Sequence, residues 1–173
     1  MRYFYDTEFI EDGHTIELVS IGIVAEDGRE YYAVSTDFDA TRANQWVRKN
    51  VLDKLPNPHS MAWKPARAIR DEVLEFLTSS GSAPELWAWV GAYDHVVLAQ
   101  LWGDMAGLPR QLPRFTRELK QYWEMAGRPQ LPPAPEGVHD ALVDARHNRA
   151  KFEACARALP LDKKGRAAHP TGH

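Results

Sequence analysis

Cysteine is almost missing: Cys155 is the only one in 173 residues. That excludes an internal disulfide and a cysteine zinc cage. A lone cysteine on the last helix reads as a small buried side chain rather than a nucleophile. No apolar run is long enough for a transmembrane helix, and the N-terminus carries no signal-peptide pattern. With no paired cysteines and no export signal, we expect a cytoplasmic protein that does not enter a membrane. An excess of positive charge is also lacking, since the net charge is −3. A polyanionic partner must therefore be met by a local patch or by metal ions. There is no internal repeat, and the length suits one domain with a core of its own.

The first third alternates apolar segments with Asp-Gly turns. Asp12-Gly13 and Asp27-Gly28 supply the positive φ angles that tight hairpins need. Residues 3–5 (Tyr-Phe-Tyr) open a strand bounded by the first turn, 18–25 read as a central strand, and 30–35 as a third. Together they predict a three-stranded antiparallel meander. The pattern then becomes helical over 43–52, and again after Pro65, where Ile69, Val73, Phe76 and Leu77 recur at helical spacing. A short aromatic strand is expected over 85–90, followed by a helix over 94–101. Residues 103–115 read as an irregular connection carrying Arg110 and Arg114, with Arg117 just beyond. A helix is expected over 116–125, and an extended proline-rich segment over 127–137. The last helix starts at Asp140, a candidate N-cap, and runs to Leu159, with Leu142, Ala145, Phe152, Ala156 and Leu159 as its buried stripe. The expected fold is therefore α/β, a mixed sheet of the meander plus parallel strands, flanked by helices. Residues 1–160 form the domain, and 161–173 a flexible tail.

The chemistry gathers on acids. Asp6 and Glu8 lie two apart on the first strand, so they share a face while Thr7 points to the other. Neighbouring carboxylates repel unless a proton or cation separates them, and hard divalent ions such as Mg²⁺ favour such oxygen ligands. D-x-E alone is a weak motif, equally consistent with an exposed acidic strand end. Asp94 follows the aromatic strand at a helix start, where the dipole favours a carboxylate. Asp144 lies early in the last helix, and His139 just ahead of it, free of the packed helix face.

These residues match D-x-E … D … H-x₄-D. The chain resembles DEDDh-type 3′→5′ exonucleases of the ribonuclease-H-like superfamily over residues 1–158. The run from His139 to Ala145 (His-Asp-Ala-Leu-Val-Asp-Ala) is nearly a fingerprint of that family. The run from Phe4 to Gly13, with Tyr93-Asp94-His95, most resembles the RNase AS branch, which acts on adenylate. One position departs from the broad family: Val90 stands where many members carry Asn four residues before the third acid.

The resemblance implies a 3′→5′ exoribonuclease that hydrolyses phosphodiester bonds at adenylate-rich single-stranded RNA 3′ ends with two Mg²⁺ ions, or Mn²⁺. It implies that Asp6 bridges both metals, with Glu8 and Asp144 on one and Asp94 reached mainly through water. His139 would be the general base, its ordinary pKa of roughly 6.5 suiting neutral pH. Two metals roughly 3.5–4 Å apart can activate water, neutralise phosphate and stabilise the leaving alkoxide. Thr7 and Phe9, beside the first motif, and Trp89 are the candidate nucleotide contacts, and Arg114 a candidate phosphate contact. A homodimer is expected, one subunit lending basic residues such as Arg110, Arg114, Arg117 or Lys120 to the other. The rival readings are an exonuclease acting on DNA or on both nucleic acids, and a catalytically silent RNA-binding module. His14, His95 and His147 read as ordinary surface or helix-end residues.

Overall fold

In the computed structural model, which describes residues 1–162, the meander forms as the Asp-Gly turns require. Strand β1 (Arg2–Glu11) pairs antiparallel with β2 (Ile16–Ala25), which pairs antiparallel with β3 (Glu30–Ser35). Gly13 and Gly28 take φ values of 82° and 94° at the two turns, open to glycine at little steric cost. Three parallel strands complete the sheet: β4 (Trp63–Lys64) beside β3, β5 (Glu85–Ala88) beside β1, and β6 (Arg117–Glu118) beside β5. The order is β4-β3-β2-β1-β5-β6. Strands β4 and β6 are two residues each, too short to show the period-two pattern that marks a strand in sequence.

Strand alternation sends Tyr3 and Tyr5 to one face and Phe4 to the other. The first face packs on α2 (Ala66–Thr78) and α3 (Ala92–Gln100) through Ile69, Val73, Leu77 and Leu98. Phe4 meets Trp87, Phe152 and Cys155, covered by α4 (Leu119–Met125) and α5 (Ala141–Ala158). Farther along the same strand, Ile10 packs with Val47 and Val51 near α1 (Gln45–Asn50).

Several boundaries differ from expectation for local reasons. The aromatic strand stops at Ala88 because Val90 turns left-handed, φ 55°. The expected helix over 116–125 divides into β6 and α4 at Glu118, whose carboxylate caps Lys120 N–H. Asp140 caps α5 as expected, accepting from the N–H groups of Leu142 and Val143. The buried face of α5 is centred on Ala141, Ala145, Asn148, Phe152 and Cys155; Leu142 and Leu159 are only partly buried. Small residues at its start let the helix come down onto the sheet. A Cβ on Gly22 would lie 2.3 Å from the Ala141 carbonyl oxygen. The expectation of a flexible tail falls, beyond Leu161 and Asp162, outside the described residues. Among the described residues no helix is long and apolar enough to cross a membrane.

Candidate active site

The cleft forms where β1 runs between the starts of α3 and α5. A strand of ten residues carries Asp6 and Glu8 in mid-strand, beyond Phe4 on the α5 face. Asp6 pairs across the ladder with Gly22, and the register slips by one residue between Glu8 and Phe9. Such a bulge turns the strand and re-aims its side chains. Because Gly22 lets α5 approach, the first turn of that helix brings Asp144 over the same strand.

Thr7, on the opposite face, does a different job. Its N–H and its hydroxyl both donate to Oδ1 of Asp94, at 2.8 and 2.7 Å. That holds Asp94 by one oxygen at the cleft lining and commits both of Thr7's donors inside the protein. The start of α3 is held from below by Glu118, whose two carboxylate oxygens accept from Val90 N–H (2.8 Å) and Gly91 N–H (3.0 Å). Val90 thus occupies the left-handed conformation, which Asn adopts more readily than a β-branched residue.

His139 is also left-handed, φ 68°, and its N–H donates to Oδ2 of Asp144 at 2.8 Å. Lys54 steadies the approach by donating to the Val138 carbonyl at 2.9 Å. One ring nitrogen of His139 and one carboxylate oxygen each from Glu8 and Asp144 lie within 4.8 Å of one another. The imidazole stands edge-on to Trp46 of α1, ring centroids 4.9 Å apart.

Electrostatics agrees with the crowding. Burial, then the negative charges of Asp94, Glu8 and Asp144, holds the Asp6 carboxyl well above its usual range. Burial and Asp144 push Glu8 up to about 8. Burial raises Asp94 as well, against the opposing pull of the Thr7 hydrogen bonds. Carboxylates this close cannot all ionise without cations between them. The donor set is all oxygen with one imidazole, and it suits hard divalent ions.

The cleft, about 470 Å³, brings together every predicted acid, His139, Thr7, Phe9 and Trp89. Phe9 pairs with the exposed Tyr93 at 5.7 Å, and Trp89 rests on Trp123 at 5.9 Å. Arg114 is not part of this lining; its guanidinium donates to the Met105 carbonyl in the irregular connection. Arg117 is likewise engaged, paired with Glu85 at 3.6 Å and lying over Trp87 and Phe115. Sequence reasoning missed several residues of the cleft, among them Trp46, Asn148 and Lys151. The last two were findable, because they follow Asp144 at four and seven residues on one helical face.

Fold and site together define an α/β domain whose sheet presents clustered carboxylates to an open cleft. Comparison with known proteins makes this specific. Residues 1–156 match the family described as the 3′-5′ exoribonuclease Rv2179c-like domain. Two curated proteins, the 3′-5′ exoribonucleases Rv2179c and MT2234.1 from two strains of Mycobacterium tuberculosis, are each 62% identical over 169 residues. Each alignment covers 97% of this chain and 99% of the relative. The chain belongs to the Rv2179c-like 3′-5′ exoribonuclease family. A solved full-length 3′-exonuclease shares the fold, with a TM-score of 0.51 at 10% identity, over 98% of this chain and 90% of that one.

Proposed function

We propose that this chain is a DEDDh-type, ribonuclease-H-like 3′→5′ exoribonuclease that works in the cytoplasm with two divalent ions, Mg²⁺ or Mn²⁺, on single-stranded RNA 3′ ends. The observation that carries the reading is the convergence of Glu8, His139 and Asp144 donor atoms within 4.8 Å, beside Asp6 and Asp94. Asp6, Glu8, Asp94 and Asp144 would hold the ions. When bound, these supply an activated water and charge neutralisation on the phosphate.

The chain's own groups do the rest. Thr7 fixes Asp94 so that one carboxylate oxygen remains available. A ring nitrogen of His139, beside Glu8 and Asp144, takes the proton of the attacking water. The water oxygen bonds to phosphorus and the P–O3′ bond breaks; O3′ stays on the shortened strand and takes up a proton from solvent, and the terminal nucleotide departs as a 5′-monophosphate. Phe9 with Tyr93, and Trp46, offer rings to bases at the cleft; stacking contributes roughly 1–3 kcal/mol per base. An adenylate preference rests on the resemblance of the 4–13 and 93–95 stretches to the RNase AS branch, and a homodimer on the limited surface a small domain offers a flexible strand and on the resemblance to dimeric exoribonucleases. Arg114 remains a phosphate contact only through such a partner, since it lies outside this chain's cleft lining.

The test uses oligo(A) RNA and its DNA counterpart, each labelled at the 5′ end, with Mg²⁺. A ladder shortening from the 3′ end of the RNA is expected. Shortening of DNA alone assigns the chain to the DNA-exonuclease reading. RNA bound without shortening assigns it to a silent binding module.

A further inference from the structure

Among the described residues, one cation lines the cleft beside the acids. Lys151, on α5 two turns beyond Asp144, is the only Lys or Arg among the described residues lining the cleft. Its Nζ lies 4.5 Å from the centroid of the Trp89 ring and donates to Oδ1 of Asn148 at 3.3 Å. Asn148 is 1% exposed, and its amide nitrogen donates to the Tyr5 carbonyl at 3.1 Å. That bond decides which way the amide points and turns its oxygen toward the ammonium. The seat of Lys151 is therefore built from the residue that precedes Asp6 on β1.

The ammonium forms no ion pair with Asp6 or Asp144, although both attract it through the cleft. An ammonium has three donors, and here a long neutral hydrogen bond and a ring face hold it while leaving donors over. Withdrawing a cation from water without a partner is costly. An arrangement that keeps it beside carboxylates, yet out of their contact, suits a cation whose partner arrives from outside. In a cleft that takes RNA, that partner carries phosphate.

The geometry points to Lys151 as an RNA-binding residue: its Nζ donates to a backbone phosphate oxygen of the strand entering the cleft, with Trp89 and Asn148 as its positioning residues. This rests on the exoribonuclease reading. The competing role is internal, a counter-charge that only balances the acids.

His139→Ala, which keeps all four carboxylates, provides a background for binding without turnover. Anisotropy of labelled oligo(A) would be followed over a series of KCl concentrations at fixed Mg²⁺, and over a series of Mg²⁺ concentrations at fixed KCl, in H139A, H139A/K151Q and H139A/K151R. Loss of the contact predicts binding weakened about tenfold. The plot of log K against log salt should become shallower by about 0.7, the value for one phosphate contact on a single strand. Lys151→Arg should restore the slope. Lys151→Met, which keeps an apolar stem on Trp89, should behave as K151Q and serves if that variant misfolds. Unchanged affinity and slope, or a change confined to the Mg²⁺ concentration required, would overturn the assignment. If the wild-type protein neither binds nor shortens the RNA, the exoribonuclease reading falls, and the role of Lys151 with it.

Discussion

Thr7 holds Asp94 by two hydrogen bonds to a single oxygen, one from the backbone and one from the hydroxyl. A carboxylate held this way has one direction left for its second oxygen. Substituting Thr7→Val keeps the shape and removes only the hydroxyl donor. Groups that orient metal ligands typically cost about 10–100-fold in metal affinity or activity when lost. We expect T7V to lose activity in that range and to need more Mg²⁺, with T7S close to wild type. A T7V enzyme with an unaltered Mg²⁺ titration would show that the hydroxyl does not position Asp94.

Gly22 stands opposite Asp6 in the ladder and beneath the Ala141 carbonyl. Gly22→Ala places a methyl where α5 must approach. Overpacking of this kind costs about 1–3 kcal/mol, and the helix it displaces carries Asp144 and follows His139. Chemical denaturation should register the loss of stability, and activity should fall with it. A stable, fully active G22A would mean that α5 need not sit this close.

Acid should stabilise the metal-free protein. Glu8 is raised from 4.5 to about 8, so between those values the folded state holds a proton that the unfolded chain has released. Stability then falls as pH rises through the window, and Asp6 is shifted in the same direction. Melting temperatures of metal-free protein should decline from about pH 5 to about pH 8, less steeply in E8Q. Added Mg²⁺ should stabilise most at the alkaline end. Stability that climbs with pH across the window, equally in wild type and E8Q, would contradict the crowded-acid picture.

Val90 is β-branched, half exposed and left-handed at φ 55°. Such strain costs of order 1–3 kcal/mol. Val90→Asn and Val90→Gly should both raise the melting temperature, because both accept the conformation that Glu118 holds from below. No gain in either variant would show that the turn is unstrained.

The meander and the first acidic pair were legible because their causes are local. Asp-Gly turns set the hairpins, and a spacing of two puts Asp6 and Glu8 on one face. His139 and Asp144 were legible for the same reason, five residues apart at a helix start. The role of Thr7 was not: its partner Asp94 is 87 residues away, and spacing within one strand says nothing about a helix that arrives later. Trp46 falls within the stretch expected to be helical, which by itself says nothing of the cleft, yet it is 54% exposed and stands against His139. The seat of Lys151 needed the approach of α5 to β1, which depends on the missing side chain of Gly22 as much as on any residue present. Arg114 looked like a phosphate grip by type, but its loop carries it out of the cleft lining.

The most direct measurement follows release of adenosine 5′-monophosphate from oligo(A) RNA by wild type and Asp6→Asn, each with Mg²⁺ and with EDTA. Asp6 has Glu8, Asp94 and Asp144 as negative neighbours, so its loss should disable the site while the fold persists. Release by the wild type with Mg²⁺, none with EDTA and little or none from D6N is the predicted result. Release that continues in EDTA, or undiminished from D6N, would contradict a metal-dependent site built on these carboxylates.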